Sequence, residues 1–195
     1  MSRSTGLTGP TGPRPTRAEL DAAYGRTVPD VIANDLDVLF VGINPSLYSA
    51  AVGHHFGRPG NRFWPALHGA GFTDRLLSPW EDGELLRFGL GITNIVAGAS
   101  ARADQLSPSD LREGAEHLAE TARRFGPRIV AVLGVTAYRT AFGRPAAVIG
   151  AQAERLVKAR LWVLPNPSGL NAGYRLPALI HAFADMKAAV PDRRR

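Results

Sequence analysis

The sequence predicts an α/β fold, a single three-layer domain in which a central, mostly parallel sheet is flanked by helices. Short apolar runs alternate along the chain with segments typical of helices. Two of these runs, residues 38–41 and 161–164, lead directly into Asn-Pro turns, which begin at Asn44 and Asn166. Continuous apolar runs are typical of strands buried on both faces. Because the carboxyl ends of parallel strands share one crevice, we expect the two turns to form a polar pocket there.

The first half of the chain is predicted to contain three helices and two strands. Residues 18–26 form a short predicted helix, and the apolar residues 38–41 form the first strand. Residues 61–71 place three large apolar side chains on one helical face and end in glycines. A second short helix is predicted over residues 81–88. Residues 91–96 are predicted to be a short strand that passes into a loop.

The second half repeats the alternation. Residues 107–125 open with Ser-Pro-Ser-Asp, which supplies an N-cap with proline just inside the helix. The β-branched, apolar residues 128–133 predict a buried strand, and residues 136–142 a short helix. Residues 154–157 and 160–164 are predicted to form either a hairpin or one interrupted strand.

One domain is predicted between two ends of different character. Residues 1–17 are rich in Gly, Pro, Ser and Thr, and we expect a flexible arm because they bury little apolar surface. Residues 18–190 form the predicted domain, whose last helix covers residues 176–189. Residues 191–195 form a basic tail, which is either a binding element or a solvated end.

Composition limits the classes of function. The net charge of +6 favours a polyanionic partner, because Lys and Arg neutralise phosphates. The absence of cysteine excludes a disulfide scaffold and thiolate metal sites. No run approaches the roughly 20 apolar residues that span a bilayer, and no signal-peptide core is present, so we expect no membrane partner. A cytoplasmic location is predicted, in association with the nucleoid if the protein is bacterial.

Four motifs in order carry a resemblance to a known family. They are Gly42-Ile43-Asn44-Pro45; Gly53-His54-His55-Phe56 with Pro59-Gly60-Asn61-Arg62-Phe63-Trp64; Gly91-Ile92-Thr93-Asn94; and Asn166-Pro167-Ser168-Gly169-Leu170. Over residues 36–184 the chain resembles the mismatch-specific uracil/thymine-DNA glycosylases of the uracil-DNA glycosylase superfamily. The resemblance implies a uracil-DNA glycosylase-like fold and excision of uracil or thymine opposite guanine, with neither metal nor cofactor.

Two asparagines are the candidate catalytic residues. Cleavage between deoxyribose and a pyrimidine requires a positioned water and donors for the charge that develops on the leaving base. The resemblance implies that Asn44 positions the water through its uncharged carboxamide. A stronger glycosylase subclass carries Asp and His where Asn44 and Asn166 stand here, so we expect slow chemistry. The alternative for each asparagine is an Asx-turn before proline.

The resemblance also implies a substrate-binding pocket. Phe56 matches the position on which a flipped pyrimidine stacks, with its backbone N–H as a donor, and Ile43 would offer its carbonyl. Ser46 stands where many relatives carry glycine, so its side chain is expected to crowd the thymine methyl group and favour uracil. Asn94 would hold a second water or a phosphate. The alternatives are a core aromatic role for Phe56 and a loop cap for Asn94.

The segment after the second Asn-Pro turn is predicted to enter the DNA. Leu170 would fill the gap that a flipped base leaves, the alternative being a leucine tucked beneath the loop. Gly169 and Asn171 would pair with the orphaned guanine through backbone or side-chain groups. Ser168 is a candidate phosphate contact, and Arg175 is either a DNA contact or an ordinary surface residue.

The predicted function is a monofunctional DNA glycosylase that acts as a monomer on double-stranded DNA with a G·U or G·T mismatch and so initiates base excision repair. The adjacent His54 and His55 suggest metal ligation, but no third ligand stands at useful spacing, so a loop role near the flipped nucleotide is favoured. The alternative function is a non-catalytic binder of mismatched or damaged DNA.

Overall fold

The computed structural model describes residues 12–171 and 173–190, so the predictions for residues 1–11 and for the basic tail lie outside the described residues. The described residues form six α-helices: α1 (Arg17–Asp21), α2 (Leu47–Val52), α3 (Phe63–Gly69), α4 (Pro108–Phe125), α5 (Val135–Ala141) and α6 (Leu176–Ala188). They form five strands: β1 (Val38–Gly42), β2 (Leu90–Asn94), β3 (Ile129–Leu133), β4 (Gly150–Leu156) and β5 (Ala159–Leu164). Two 3-10 helices cover Pro79–Phe88 and Ala103–Gln105.

The strands form one sheet in the order β2-β1-β3-β5-β4. Strands β2, β1, β3 and β5 are parallel, and only the edge strand β4 runs antiparallel, against β5. Every residue of β1 is buried, as expected for a central strand covered on both faces. The chain passes from β1 to β2 on one side and then to β3 on the other, which places the switch point of the sheet at β1.

Helices cover both faces of the sheet, which confirms the three-layer α/β fold. Phe40 of β1 contacts Phe63 of α3 and Phe183 of α6 in one core cluster. The alternate β1 residues, Leu39 and Val41, lie in a second cluster with α4 and α5. This division follows from the two-residue period of a strand, because successive side chains point to opposite faces.

The structure changes several predicted boundaries. The hairpin alternative for β4 and β5 is confirmed, although β4 begins at Gly150, four residues earlier than predicted. The helix predicted over residues 18–26 is wrong in its second half, because α1 ends at Asp21. The helix predicted over residues 81–88 is the end of a 3-10 helix. Helix α2 was missed. Among the described helices, none has the length and apolar character needed to span a membrane.

Candidate active site

A small cavity lies at the carboxyl ends of the parallel strands. Its volume is about 120 Å³. An apolar cavity of roughly 150 Å³ holds one benzene ring, so this cavity matches a single planar ring rather than a whole nucleotide. Eight predicted site residues line it: Ile43, Asn44, Ser46, Phe56, Asn94, Asn166, Ser168 and Leu170. The predicted residues that are not among its described lining are Gly169, Asn171 and Arg175.

The Asn44 carboxamide follows β1 and is held from one side. Its Nδ2 donates to the carbonyl oxygen of Gly98 over 3.2 Å and to Ser100 Oγ over 2.8 Å. Because a carbonyl oxygen only accepts, the contact with Gly98 identifies the Nδ2 end of the carboxamide. Asn44 Oδ1 accepts no hydrogen bond from the described part of the chain, so the Asx-turn alternative is not formed there. The side chain is therefore fixed with an acceptor available at the cavity.

The Asn166 carboxamide follows β5 and has the opposite arrangement. Its Oδ1 accepts from the backbone N–H of Ser168 over 2.9 Å, which is the Asx-turn foreseen as the alternative. The Nδ2 end is the remaining polar group that Asn166 offers to the cavity it lines. The residue can therefore donate a hydrogen bond there, while its Oδ1 already accepts one from the loop backbone.

Phe56 belongs partly to the core and partly to the cavity. Its ring is half-buried and stacks on Phe63, with ring centroids 4.2 Å apart and an interplanar angle of 25°. Its φ of +52° lies in the left-handed region, which bulky residues rarely adopt. Its backbone N–H donates to no acceptor in the described chain and so remains available. The core alternative is therefore met in part, and the predicted role as the ring on which a pyrimidine stacks stays a prediction for a residue that also lines the cavity.

One carboxylate supports the turn that carries Phe56. Asp82 Oδ2 accepts from the backbone N–H of His55 over 3.3 Å and lies 3.2 Å from His54 Nδ1. His54 therefore pairs with a carboxylate outside the cavity lining. Within the described residues, no group of three or more His, Cys, Asp or Glu residues is placed to hold a metal ion.

Asn94 and His55 form a hydrogen-bonded pair at the end of β2. The His55 ring is buried, and its Nε2 lies 2.9 Å from the carbonyl oxygen of Pro29. This oxygen only accepts, so Nε2 carries the proton and Nδ1 accepts from Asn94 Nδ2 over 3.4 Å. Burial lowers the pKa of His55, which keeps the ring neutral. The pair leaves Asn94 Oδ1 close to Gly42, where a Cβ would lie 2.5 Å from it.

Ile43 and Ser46 were predicted to contact the base, but the Ile43 carbonyl and the Ser46 hydroxyl already form hydrogen bonds within the protein. The Ile43 carbonyl accepts from the backbone N–H of Val96 over 2.9 Å, so a base would share that oxygen. Ser46 is the N-cap of α2, and its Oγ accepts from the backbone N–H of Ser49 over 3.1 Å. The Ser46 side chain thus has a structural role in addition to its place in the cavity wall.

The described residues 165–171 and 173–175, here the β5–α6 loop, carry the predicted DNA contacts. Leu170 is 68% exposed, so the alternative of a leucine tucked beneath the loop is wrong. The Asn171 side chain is committed within the loop, because Nδ2 donates to the Asn166 carbonyl over 2.9 Å and Oδ1 accepts from Gly173 N over 3.2 Å. A contact with guanine by this side chain would break these bonds. The Asn171 backbone is engaged as well, because its N–H donates to the Ser168 carbonyl over 3.0 Å and its carbonyl accepts from Arg62.

The remaining predicted DNA contacts lie on the surface of the same loop. Ser168 Oγ accepts from the backbone N–H of Leu170 over 3.3 Å and keeps its own proton to donate. Gly169 is exposed, and a Cβ there would lie 2.8 Å from the carbonyl oxygen of Gly60. Arg175 is exposed and is the N-cap residue of α6, with no side-chain capping bond.

Sequence reasoning missed several residues that organise the site. Ser100 and Gly98 fix Asn44, Asp82 fixes the turn before Phe56, and Arg62 contacts the β5–α6 loop. Arg62 stands within one of the quoted motifs, which was a signal of importance but not of its contacts. Gly98 and Ser100 lie in a segment without a recognisable pattern, and Asp82 lies in the helix predicted over residues 81–88, which gave no signal of its contact with His55.

The fold and the cavity define an α/β protein with a ring-sized polar site at the switch point of its sheet, which is where open α/β sheets bind ligands. The sequence model of the uracil DNA glycosylase superfamily matches residues 29–192, and the chain belongs to this superfamily of DNA glycosylase hydrolases. The chain is also similar to the solution NMR structure of a candidate uracil DNA glycosylase from Methanosarcina acetivorans. The two structures superpose with a TM-score of 0.55 and share 18% sequence identity. The match covers 84% of this chain and 98% of the other, and it shows the fold.

Proposed function

We propose that this protein is a mismatch-specific uracil-DNA glycosylase, of the uracil/thymine subfamily, that hydrolyses the N-glycosidic bond of uracil flipped out of a G·U duplex, or of thymine flipped out of a G·T duplex. The observation that carries the proposal is the fixed Asn44 carboxamide, whose Nδ2 is held by Gly98 and Ser100 while Oδ1 is available at a cavity of ring size. We further propose that it acts as a monomer in the cytoplasm.

The proposed reaction uses one water molecule. Asn44 Oδ1 accepts a hydrogen bond from this water and holds it beneath the C1′ carbon of the sugar. The C1′–N1 bond breaks with its electron pair moving to the base, and the water oxygen bonds to C1′. The water proton passes to solvent, and the base leaves as an anion that solvent later protonates. The products are free uracil and an abasic site.

Donors around the cavity support the departure of the base. They include the backbone N–H of Phe56 and the Nδ2 of Asn166. Neutral donors aimed at the position where negative charge develops lower the barrier without a proton transfer. Because the described lining contains no carboxylate, and both His55 ring nitrogens are engaged, general acid–base catalysis contributes little and the expected rate is low.

Preference for a mismatch would come from the β5–α6 loop. Leu170 is the exposed apolar side chain that would replace the flipped base in the stack. The backbone groups of Gly169 would then face the guanine of the opposite strand, since those of Asn171 already form hydrogen bonds within the protein. In a normal A·U pair the same groups would face adenine, whose hydrogen-bonding edge differs.

The proposal is tested by single-turnover assays on four substrates that are identical except for the target: G·U, A·U and G·T duplexes, and single-stranded uracil. We expect abasic sites and free uracil to appear fastest from G·U. Release of a free base from none of the four would overturn the glycosylase proposal, and equal rates from G·U and A·U would overturn mismatch specificity.

A non-catalytic binder of mismatched DNA is the second candidate function. It is favoured by one observation, namely that the cavity lacks a free acid or base among its described residues. A binder would shift the G·U duplex in a gel without producing abasic sites. The Asn44→Ala protein is a useful control for this measurement, because it keeps the binding surface while losing the water contact.

A further inference from the structure

One arginine ties the β5–α6 loop to the rest of the molecule. Arg62 Nη2 donates to the carbonyl oxygens of Ser168 and of Asn171, the latter over 2.9 Å. Its Nη1 donates to the carbonyl of Tyr174, and its Nε to that of Pro167 over 3.4 Å. The backbone N–H of Arg62 reaches the same Pro167 oxygen over 3.0 Å. A single residue therefore contacts four carbonyl groups spread along the loop.

The chemistry of the guanidinium group suits this arrangement. It is planar, permanently charged and carries five N–H donors in a fixed fork. The side chain is half-buried and forms no ion pair with any described residue. Its charge is therefore met by carbonyl dipoles, and charge-assisted hydrogen bonds of this kind are stronger than neutral ones.

The other end of Arg62 is anchored in the core. Arg62 is the N-cap residue of α3, and the next two residues, Phe63 and Trp64, are buried. Asn61 Oδ1 accepts from the backbone N–H of Phe63 over 2.9 Å and fixes the turn into the helix. The guanidinium thus extends from a rigid helix start to a surface loop more than a hundred residues later in the chain.

The loop also contains hydrogen bonds between its own residues, and these have a different structural role. The hydrogen bonds from Ser168 N to Asn166, from Leu170 N to Ser168 and from Asn171 Nδ2 to Asn166 all join loop residues to one another. They define the shape of the loop. The hydrogen bonds of Arg62 fix where that shape stands relative to the cavity.

We propose that Arg62 is a positioning residue that holds the β5–α6 loop so that Leu170 projects at a fixed place beside the cavity. This inference rests on the proposed function. Leu170 is largely exposed, so its direction is set by its backbone, and the backbone is held by Arg62. Arg62 touches neither base nor water in this role. It acts on base flipping, which takes place only in a duplex.

The test compares Arg62→Ala and Arg62→Lys with Arg87→Ala. Arg87 is an exposed arginine that pairs with Glu84 and lies outside the described lining of the cavity, which makes it a matched control. Single-turnover excision is measured on G·U duplex and on single-stranded uracil. We expect Arg62→Ala to lower the duplex-to-single-strand ratio about tenfold or more, with Arg62→Lys in between because an ammonium group offers only three donors. Arg87→Ala should leave the ratio unchanged.

Two further measurements separate positioning from general stability. Methylguanidinium added to the Arg62→Ala protein should restore part of the duplex activity, whereas methylammonium at the same concentration should not. In the free protein, hydrogen exchange at the amides of Leu170, Asn171 and Gly173 should accelerate about tenfold or more, while exchange in β1 and β3 stays unchanged.

The outcomes are distinguishable. Unchanged loop exchange, or equal losses on duplex and single strand, would overturn the positioning role. If Arg62→Ala does not fold, the excision ratio and the loop hydrogen exchange are measured on Arg62→Lys instead, and they test the positioning role in the same way. If the unmodified protein excises uracil from no substrate, the proposed function fails, while the exchange measurement still supports or refutes the anchoring of the loop by Arg62.

Discussion

The neutral ring of His55 sets the orientation of the Asn94 carboxamide, because its Nδ1 accepts the hydrogen bond from Asn94 Nδ2 over 3.4 Å. The opposite ring nitrogen, Nε2, donates to the carbonyl of Pro29 over 2.9 Å. A protonated ring has no acceptor, so the bond to Asn94 exists only while His55 is neutral. The protonation state of a buried residue is therefore linked to a polar side chain in the cavity wall.

A first prediction concerns pH. The pKa of His55 is lowered from its ordinary value of 6.5, chiefly by burial. The unfolded chain therefore binds more protons than the folded one as the pH falls below 6.5, so the free energy of unfolding decreases over that acidic window. Excision should fall in the same window. His55→Gln keeps an acceptor but does not titrate, and it should flatten both profiles. Profiles that stay as steep in this variant would rule out His55 as their source.

Asn44→Ala should reduce excision from the G·U duplex by about two to three orders of magnitude, because it removes the acceptor that holds the water. Duplex affinity should stay within roughly threefold, since little contact surface is lost. Ser100→Ala provides a graded comparison, because it removes one of the two acceptors that hold Asn44 Nδ2 and leaves Gly98 in place. The excision rate of Ser100→Ala should lie between that of the unmodified protein and that of Asn44→Ala. Full activity in Asn44→Ala would refute the water-positioning role.

Ser46→Gly should raise thymine excision relative to uracil excision. Removing a side chain beside the 5-position of the base is worth on the order of 1 to 3 kcal/mol in a tight pocket. Ser46 also caps α2, where replacement by glycine costs only a few tenths of a kcal/mol but replacement by alanine costs about 1 kcal/mol. Ser46→Ala should therefore be the less stable protein and change the ratio less. A ratio that does not move in Ser46→Gly would show that Ser46 does not line that side of the base.

Leu170→Ala should depress excision from the G·U duplex strongly and excision from single-stranded uracil much less. The leucine offsets part of the unstacking cost, a few kcal/mol, which arises only in a duplex. Its exposure means that little core contact is lost, so the melting temperature should change little. A marked drop in melting temperature, or equal losses on the two substrates, would contradict the wedge role.

The strands that position the site were predictable because their signal is local. β1, β3 and the part of β5 from Leu161 onward are continuous apolar runs, and burial on both faces demands that composition. Strand β4 was predicted too short because residues 150–153 alternate between half-buried and exposed and carry no β-branched residue. Pairing with β5 makes them a strand. Helix α2 was missed for a similar reason, since it is short and packs through Ala50 into a small cluster with Ala23, Val28 and Ala99.

The site was predictable at the level of residues but not of contacts. The Asn-Pro turns gave Asn44 and Asn166, yet nothing local distinguished the free Oδ1 of Asn44 from the occupied Oδ1 of Asn166. That difference comes from Ser100, which is brought beside Asn44 by the path of the chain after β2. The hold of Arg62 on the β5–α6 loop likewise joins segments far apart in sequence. Such contacts depend on topology, which a local pattern does not encode.

The strand order also determines when the cavity comes into existence. Its two asparagine-bearing turns are about 120 residues apart, and β5 pairs with β3 rather than with β1. At a synthesis rate of roughly 5 to 20 residues per second, the ribosome adds Asn44 about ten seconds before it adds Asn166. Parallel pairing between such distant segments is a slow step of folding. Until it is complete the nascent protein has the first turn but no enclosed pocket, so a partly made chain should neither bind a flipped base nor release one from DNA.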